Sequence, residues 1–397
     1  MSDKLLKFRA AIDRLDGREP IRKGEHVPLY VDRPDGVAER LARFLQLQPK
    51  SQHVLAGPIG CGKSTELAAA SRVLNATPGV FSRVIDITRS VDVRGLDFSE
   101  FLSVLIYATY ATLAAREGAP PALAQGRKFW AGRVGISDTP ASKVEASKRP
   151  VNAPVQAMVP LHDVPEYLQD DVRELAYVRA VVHQQTGSDL VWQIDGLDRT
   201  DLVQVYQRLA PLVSECCKYA GVGVVFVAPW RALISENRPD LVPNERAPVE
   251  IGALDPKIAA NAEFLRQVLA RRVDAELMPD PSAEALIAAS GGVIRCLLQL
   301  AARALTEVWM HNRQTMTEVE IATAVDEMGR SMLFGKSDRE VSLLREVGHH
   351  GRFDGRGWDD LALVQDTVVL QYRGVLGELE HHVHPCLWPL IDDGIPF

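Results

Sequence analysis

Two hydrophobic patterns divide the chain, one typical of buried strands and the other of amphipathic helices. Short apolar runs typical of strands in a parallel sheet occur at 54–56, 81–87, 190–194, 223–228 and 248–251. Helical patterns lie between them, at 98–115, 166–185 and 202–219. Strands that alternate with helices predict an α/β fold, in which helices cover both faces of a parallel sheet.

The second pattern begins at residue 255 and stays helical through residue 330. After residue 337 the chain offers two helices, a β-pair and a short closing helix, which is the order of a winged helix. Residues 116–165, rich in Pro, Gly and Ala, predict an irregular insertion. The predicted segments are a lead-in at 1–50, a sheet domain at 51–253, a helical lid at 254–336 and a winged-helix-like domain at 337–397.

An octapeptide between the first apolar run and the following helix fits the phosphate-loop pattern G-x-x-x-x-G-K-[ST]. It reads Gly57-Pro58-Ile59-Gly60-Cys61-Gly62-Lys63-Ser64, and Thr65 continues into the helix. A strand, a glycine loop and a helix N-terminus direct backbone N–H groups and the helix dipole at one spot. Lys63 is expected to reach the β- and γ-phosphates, and the Ser64 hydroxyl to ligate Mg²⁺. The motif predicts a nucleotide-binding protein.

Two carboxylates follow the apolar run at 190–194. Asp195 closes that run, where an acid is costly unless it meets a cation, and we expect it to hold Mg²⁺. Asp198 lies three residues further on and is expected to position or deprotonate the attacking water. The alternative for Asp198 is a capping role at a helix that begins near Thr200.

Two other residues near the motif have two interpretations each. Tyr30 either packs on the adenine ring or belongs to the ordinary core. Cys61 lies at a helix N-terminus, where the dipole favours a reactive thiolate. Its alternative is a small filler whose sulfur faces the protein interior.

Composition narrows the class of protein further. The net charge of −7 and the pI near 5.9 exclude a globally basic nucleic-acid binder. Five cysteines without paired metal-ligand spacing predict reduced thiols in the cytoplasm, and no apolar run approaches a membrane span. The His381-His382-x-His384-Pro385-Cys386 run is not expected to hold a metal ion, since neighbours on a strand face opposite sides.

The balance of basic and acidic side chains in a segment indicates whether DNA or a protein is the better partner for it. Residues 116–150 carry seven basic against three acidic side chains, whereas residues 338–397 carry eleven acidic against five basic ones. A phosphate-reading surface needs a basic face. DNA, if bound, is therefore expected at the 116–150 insertion, and the C-terminal segment is expected to dock a protein.

These motifs together resemble the AAA+ superfamily of P-loop ATPases, specifically the origin-recognition/initiator clade and the STAND ATPases. The octapeptide with Thr65 is similar to Walker A, and residues 190–198 resemble Walker B. Gly291-Gly292-x-x-Arg295 resembles sensor 2, whose arginine reaches the γ-phosphate from the lid. The resemblance implies that Arg246 is an arginine finger, although a solvated loop charge is the alternative. Arg231 stands where sensor 1 is usually polar, and the adjacent Asp-Glu pair of strongly active members is absent.

The resemblance implies an ATP-binding and ATP-hydrolysing switch that requires Mg²⁺. Its lid and C-terminal domain would engage a protein partner or effector, as in antiphage defence or signalling, and a nucleotide-dependent homo-oligomer is a further expectation. The rival interpretation is a DNA-binding initiator, transposition or regulatory ATPase that forms a nucleoprotein complex. ATP is preferred over GTP on family grounds, because no GTPase base-specifying motif is present.

Overall fold

The architecture is that of a computed structural model, which describes residues 3–17, 28–89, 92–135, 159–199, 202–231, 248–355, 357–373 and 378–392. The chain divides into two compact units. We call residues 38–56 with 66–250 the sheet unit, and residues 1–37 with 57–65 and 251–397 the helical unit.

A five-stranded sheet organises the sheet unit. Its strands are β1 (Gln52–Gly57), β2 (Val80–Asp86), β3 (Asp189–Asp195), β4 (Gly223–Pro229) and β5 (Val249–Glu250). The order across the sheet is β2-β3-β4-β1-β5, and the β2–β3, β3–β4 and β1–β5 pairs are parallel. β1 and β4 are buried throughout, as the continuous apolar runs predict for a sheet covered on both faces.

Helices alternate with the strands as the sequence predicts, except that Pro121–Arg133 is an additional helix. They are Val37–Leu47, Lys63–Ala76, Phe98–Ala114, Pro121–Arg133, Gln169–Thr186 and Val203–Ala220. Asp97 caps Phe98–Ala114 in a reciprocal box with Glu100, and Gly187 ends Gln169–Thr186 in the left-handed conformation. The predicted α/β class is therefore confirmed, with local signals that set the helix ends.

The helical unit contains the lid helices and a small C-terminal domain. The lid helices are Ala259–Ala270, Asp280–Ala289, Ile294–Met310 and Glu318–Leu333. The C-terminal domain has helices Asp338–His350, Trp358–Gln365 and Trp388–Ile391, with an antiparallel pair of β6 (Val369–Arg373) and β7 (Leu379–Val383). This element order is the predicted winged-helix order. In the C-terminal domain, β6 and β7 pair with Val369 opposite Val383.

The units divide the chain differently from the predicted segments. The lead-in at 1–50 is not separate, because Phe8 and Ala11 of the helix Asp3–Arg14, and Leu15 directly after it, lie in the same hydrophobic core as the lid helices. Nor is the insertion at 116–165 irregular throughout, since Pro121–Arg133 is a helix. Proline is common at the first position of a helix, and Pro121 lies there. The Pro-rich composition of the segment predicts irregular structure and does not show this helix start.

Within the described part of the chain, no helix is both long enough and apolar enough to cross a membrane.

Candidate functional site

The phosphate loop joins β1 to the helix Lys63–Ala76, and glycine is required at three of its positions. Gly60 and Gly62 have φ of 88° and 100°, in the left-handed region that favours glycine. At Gly57 the restriction is close approach, because a Cβ there would lie 1.8 Å from the Ile251 carbonyl oxygen. The glycines that the motif places in the loop therefore determine its backbone path.

Lys63 begins the helix and is buried, with 5% of its surface exposed. Its Nζ donates hydrogen bonds to the carbonyl oxygens of Gly57 at 2.8 Å and Pro58 at 2.7 Å. These bonds hold the ammonium group inside the curve of the loop. A buried ammonium there supplies the positive charge that a phosphate requires.

Two arginines of the helical unit contact the backbone of this loop. The Arg33 guanidinium donates to the Cys61 carbonyl oxygen at 2.9 Å and pairs with Asp35 at 2.8 Å. The backbone N–H of Arg295 donates to the Gly60 carbonyl oxygen at 3.1 Å. The sensor 2 candidate thus starts a lid helix directly at the loop. Sequence reasoning missed Arg33, and no motif in its segment indicated it.

Cys61 does not present a reactive thiolate. Its side chain is fully buried, and burial raises the pKa of the thiol, although Lys63, Arg33 and Arg295 oppose that rise. The predicted thiolate is therefore wrong, because desolvation outweighs the cationic surroundings. The filler alternative agrees with this placement.

The acidic positions lie at the carboxyl ends of two neighbouring strands in the sheet unit. Asp195 ends β3 with 2% of its surface exposed, and its Oδ1 accepts from the Gly196 N–H at 2.9 Å. Asp86 ends β2 directly opposite it in the strand register. Gly196 has φ of 93°, and a Cβ there would lie 3.0 Å from Asp86 Oδ1. Two carboxylates therefore end adjacent strands, and the turn after β3 passes close to one of them, Asp86.

Sequence reasoning missed Asp86, although the same signal indicated Asp195. Both are acids that close an apolar strand, which is costly without a cation or a hydrogen bond. Asp86 accepts from Thr88 Oγ1 at 2.7 Å and from Arg89 Nε at 3.1 Å. These partners give Asp86 a structural role whatever else it binds.

Asp198 lies half-buried in the turn that follows β3. Among the described residues, the helix Val203–Ala220 has Leu202 as its N-cap, without a side-chain capping hydrogen bond. Thr200, where the sequence predicts the helix to begin, lies outside the described residues, so the capping alternative for Asp198 stays a prediction. Arg231, in the place of sensor 1, is buried just after β4, with 5% of its surface exposed.

The remaining predicted positions divide between the described and undescribed parts of the chain. Tyr30 is half-buried, and its carbonyl oxygen accepts from Arg271 Nη1 in the helical unit. Its neighbour Val31 belongs to the core of that unit. Arg246 lies outside the described residues. Pro58, Ile59, Ser64 and Thr65 occupy the loop and first helical turn, and the Ile59 N–H donates to the Gln365 carbonyl oxygen at 2.8 Å.

Comparison with known proteins finds similar solved structures. The structure of Drosophila ORC bound to DNA is 15% identical, covering 95% of this chain and 89% of that one, with a TM-score of 0.45. The Aeropyrum pernix ORC1 protein in complex with DNA is 15% identical, covering 93% and 95%, with a TM-score of 0.44. The Thermotoga maritima RuvB Holliday junction branch migration motor is 14% identical, covering 93% and 100%, with a TM-score of 0.41. No protein-family model and no curated protein matches the chain.

Proposed function

We propose that this protein is an ATP-binding and ATP-hydrolysing switch of the AAA+/STAND type. The observation that carries the proposal is the phosphate loop, in which two glycines at positive φ and a buried lysine join a parallel strand to a helix. A strand–loop–helix turn of this composition is built for a polyphosphate. ATP is the proposed substrate, and its phosphates are held by the loop residues Gly57 to Thr65.

Mg²⁺ is the proposed cofactor. Mg²⁺ prefers oxygen ligands, and the sequence motifs assign the Ser64 hydroxyl and the Asp195 carboxylate to this role. Asp195 ends β3 with 2% of its surface exposed. When bound, the ion neutralises charge on the phosphate oxygens.

Three side chains have proposed roles in turnover. Lys63 neutralises phosphate charge, and Asp198 orients the attacking water or accepts its proton. Arg295 links the nucleotide to the lid, because its helix begins at a hydrogen bond to Gly60 of the loop. Arg246 remains a candidate arginine finger. The absence of the adjacent Asp-Glu pair favours slow turnover, as suits a switch.

Steady-state hydrolysis of ATP and GTP by the full chain tests this function. We expect Mg²⁺-dependent release of phosphate from ATP, with little release from GTP. Lys63→Ala should abolish it, while Lys218→Ala, a change at an exposed lysine of another helix, should not. Equal turnover in wild type and Lys63→Ala would show that this loop does not carry the activity.

A DNA-binding initiator or regulatory ATPase is the second candidate, and one helix favours it. Pro121–Arg133 contains three basic residues and no acidic one, and Lys128 and Arg133 are exposed. The C-terminal segment 338–397 is acidic overall and suits a protein partner better. Engagement of such a partner or effector, and nucleotide-dependent self-association, remain proposals.

Salt-dependent binding to duplex DNA separates the two candidates. If this helix contacts phosphates, Arg127→Glu with Lys128→Glu should weaken binding and lower the slope of log affinity against log salt by about 2. Arg173→Glu on the helix Gln169–Thr186 serves as the matched control at another exposed arginine. Unchanged DNA affinity in the double variant would remove this helix from the interface.

A further inference from the structure

A cluster of two thiols and an imidazole lies inside the helical unit. Cys296, His384 and Cys386 each place one ligand atom within 4.8 Å of the others. Their exposed fractions are 4%, 0% and 1%, so all three are buried. Two thiols and an imidazole within this distance have the composition of a zinc site.

Two segments far apart in sequence form this cluster. Cys296 lies in the first turn of the lid helix Ile294–Met310, whereas His384 and Cys386 follow β7. The strand alternation that argued against a metal site does not apply, because β7 ends at Val383, before both ligands. His381 and His382 lie on the strand itself and are not members of the cluster.

The backbone around the ligands is fixed by its own contacts. The His384 N–H donates to the Val368 carbonyl oxygen at 3.0 Å, and Cys386 Sγ donates to the Ala289 carbonyl oxygen at 3.3 Å. Gly329 leaves room for this segment, since a Cβ there would lie 2.1 Å from the Cys386 carbonyl oxygen. The two ligands after β7 are therefore held against the lid helices by packing and hydrogen bonds.

The imidazole supplies a second, independent observation. The Cys386 N–H donates to Nδ1 of His384 at 3.2 Å, but Nε2 has no hydrogen-bond partner among the described residues, although His384 is fully buried. Buried polar side-chain atoms in native proteins almost always have a partner, and an ion or water accounts for many exceptions. A ring nitrogen without a partner, in a cluster with two thiols, points to a metal ion. Metal binding through Nε2 would move the ring proton to Nδ1 and replace the Cys386 N–H contact.

We propose that Cys296, His384 and Cys386 bind one thiolate-preferring metal ion, with Zn²⁺ as the cation. Two thiolates and a neutral imidazole leave no net charge around Zn²⁺, which suits a buried position. Mg²⁺ and Ca²⁺ are disfavoured, since they require oxygen ligands. Three protein ligands leave a fourth position for water or a carbonyl oxygen such as that of Ala289.

The bound ion would fasten the lid to the C-terminal domain. Cys296 follows Arg295, whose backbone N–H contacts the phosphate loop, so the ion would anchor the helix that carries the sensor 2 candidate. The metal site is independent of the proposed ATP hydrolysis. Failure of either proposal leaves the other standing.

Metal analysis of the full chain tests the site. After removal of bound metal, Zn²⁺ titrated against a chromophoric chelator should bind with one ion per chain, and Co²⁺ should give thiolate charge-transfer absorption. Cys296→Ser and Cys386→Ser should each weaken Zn²⁺ binding more than about 100-fold, since even outer-shell changes cost about 10- to 100-fold. Cys216→Ser, at a buried cysteine of the sheet unit, should leave it unchanged.

Thiol labelling of the wild-type chain covers the case in which a variant fails to fold. Zn²⁺ should protect Cys296 and Cys386 from alkylation in a denaturant pulse too short for the metal to leave, and Cys216 should be unprotected. Absence of Zn²⁺ binding, equal labelling of all these thiols, or a Cys296–Cys386 disulfide that persists with Zn²⁺ present would overturn the proposal.

Discussion

The phosphate loop and the acidic strand ends are both candidate ligand positions, but backbone conformation forms the first and side chains form the second. The loop depends on backbone shape, with Gly60 and Gly62 at positive φ and one buried ammonium, that of Lys63. The strand ends depend on side chains, with Asp86 and Asp195 brought opposite each other by the β2–β3 register. A contiguous motif needs only local geometry, whereas the carboxylate pair exists only when the sheet has formed. Substitutions should therefore affect the two regions differently.

The largest expected effect is on the loop backbone. Gly57→Ala should destabilise the fold by about 3 kcal/mol or more, because its Cβ would overlap the Ile251 carbonyl oxygen. Gly95→Ala is the matched control, since a Cβ there meets nothing within 4 Å and the backbone is not left-handed. Chemical denaturation of both variants measures the difference. Equal stability would mean that the loop does not pack against residue 251 in this way.

The second effect should fall on chemistry and spare the fold. Asp198→Asn should retain ATP and slow its hydrolysis by about 100-fold or more, within the range that general bases contribute. The melting temperature should stay nearly unchanged, because Asp198 is half-buried in a turn and Asn has nearly the same size and shape. Turnover and melting are measured on one preparation. A lower melting temperature with normal turnover would indicate a structural role instead.

The smallest effect concerns the side chain inside the loop. Cys61 is fully buried with a raised pKa, so a maleimide should modify it slowly in the native protein, with or without ATP. Peptide mapping after labelling distinguishes it from the four other cysteines. Fast labelling that ATP suppresses would instead place the thiol on the nucleotide side of the loop.

The sequence predicted the features that depend on residues close to one another along the chain. The octapeptide with its flanking strand and helix, the apolar runs of the strands and the capping signal at Asp97 are patterns between near neighbours. The α/β class and the element order of the C-terminal domain followed from them. The helix Pro121–Arg133 differs from the predicted irregular insertion, because Pro and Gly content alone does not show where a proline occupies the first position of a helix.

Features that depend on tertiary contact were not predictable in this way. Arg33 contacts the loop from a segment with no motif, and Asp86 gains its significance from its register with Asp195. The Cys296–His384–Cys386 cluster joins a helix to residues beyond a strand end, which strand alternation could not reveal. The Cys61 pKa was misjudged because the sequence shows the helix dipole but not the burial.

The most direct test of the account is the affinity for ATP, measured by calorimetry with and without Mg²⁺, for three proteins. Lys63→Ala should bind about 10- to 100-fold more weakly than wild type under both conditions, as loss of a charge-assisted contact predicts. Asp195→Asn should bind like wild type without Mg²⁺ and should lose the gain that Mg²⁺ gives to wild type. Wild-type affinity in a folded Lys63→Ala variant would contradict the assignment of the loop as the phosphate site.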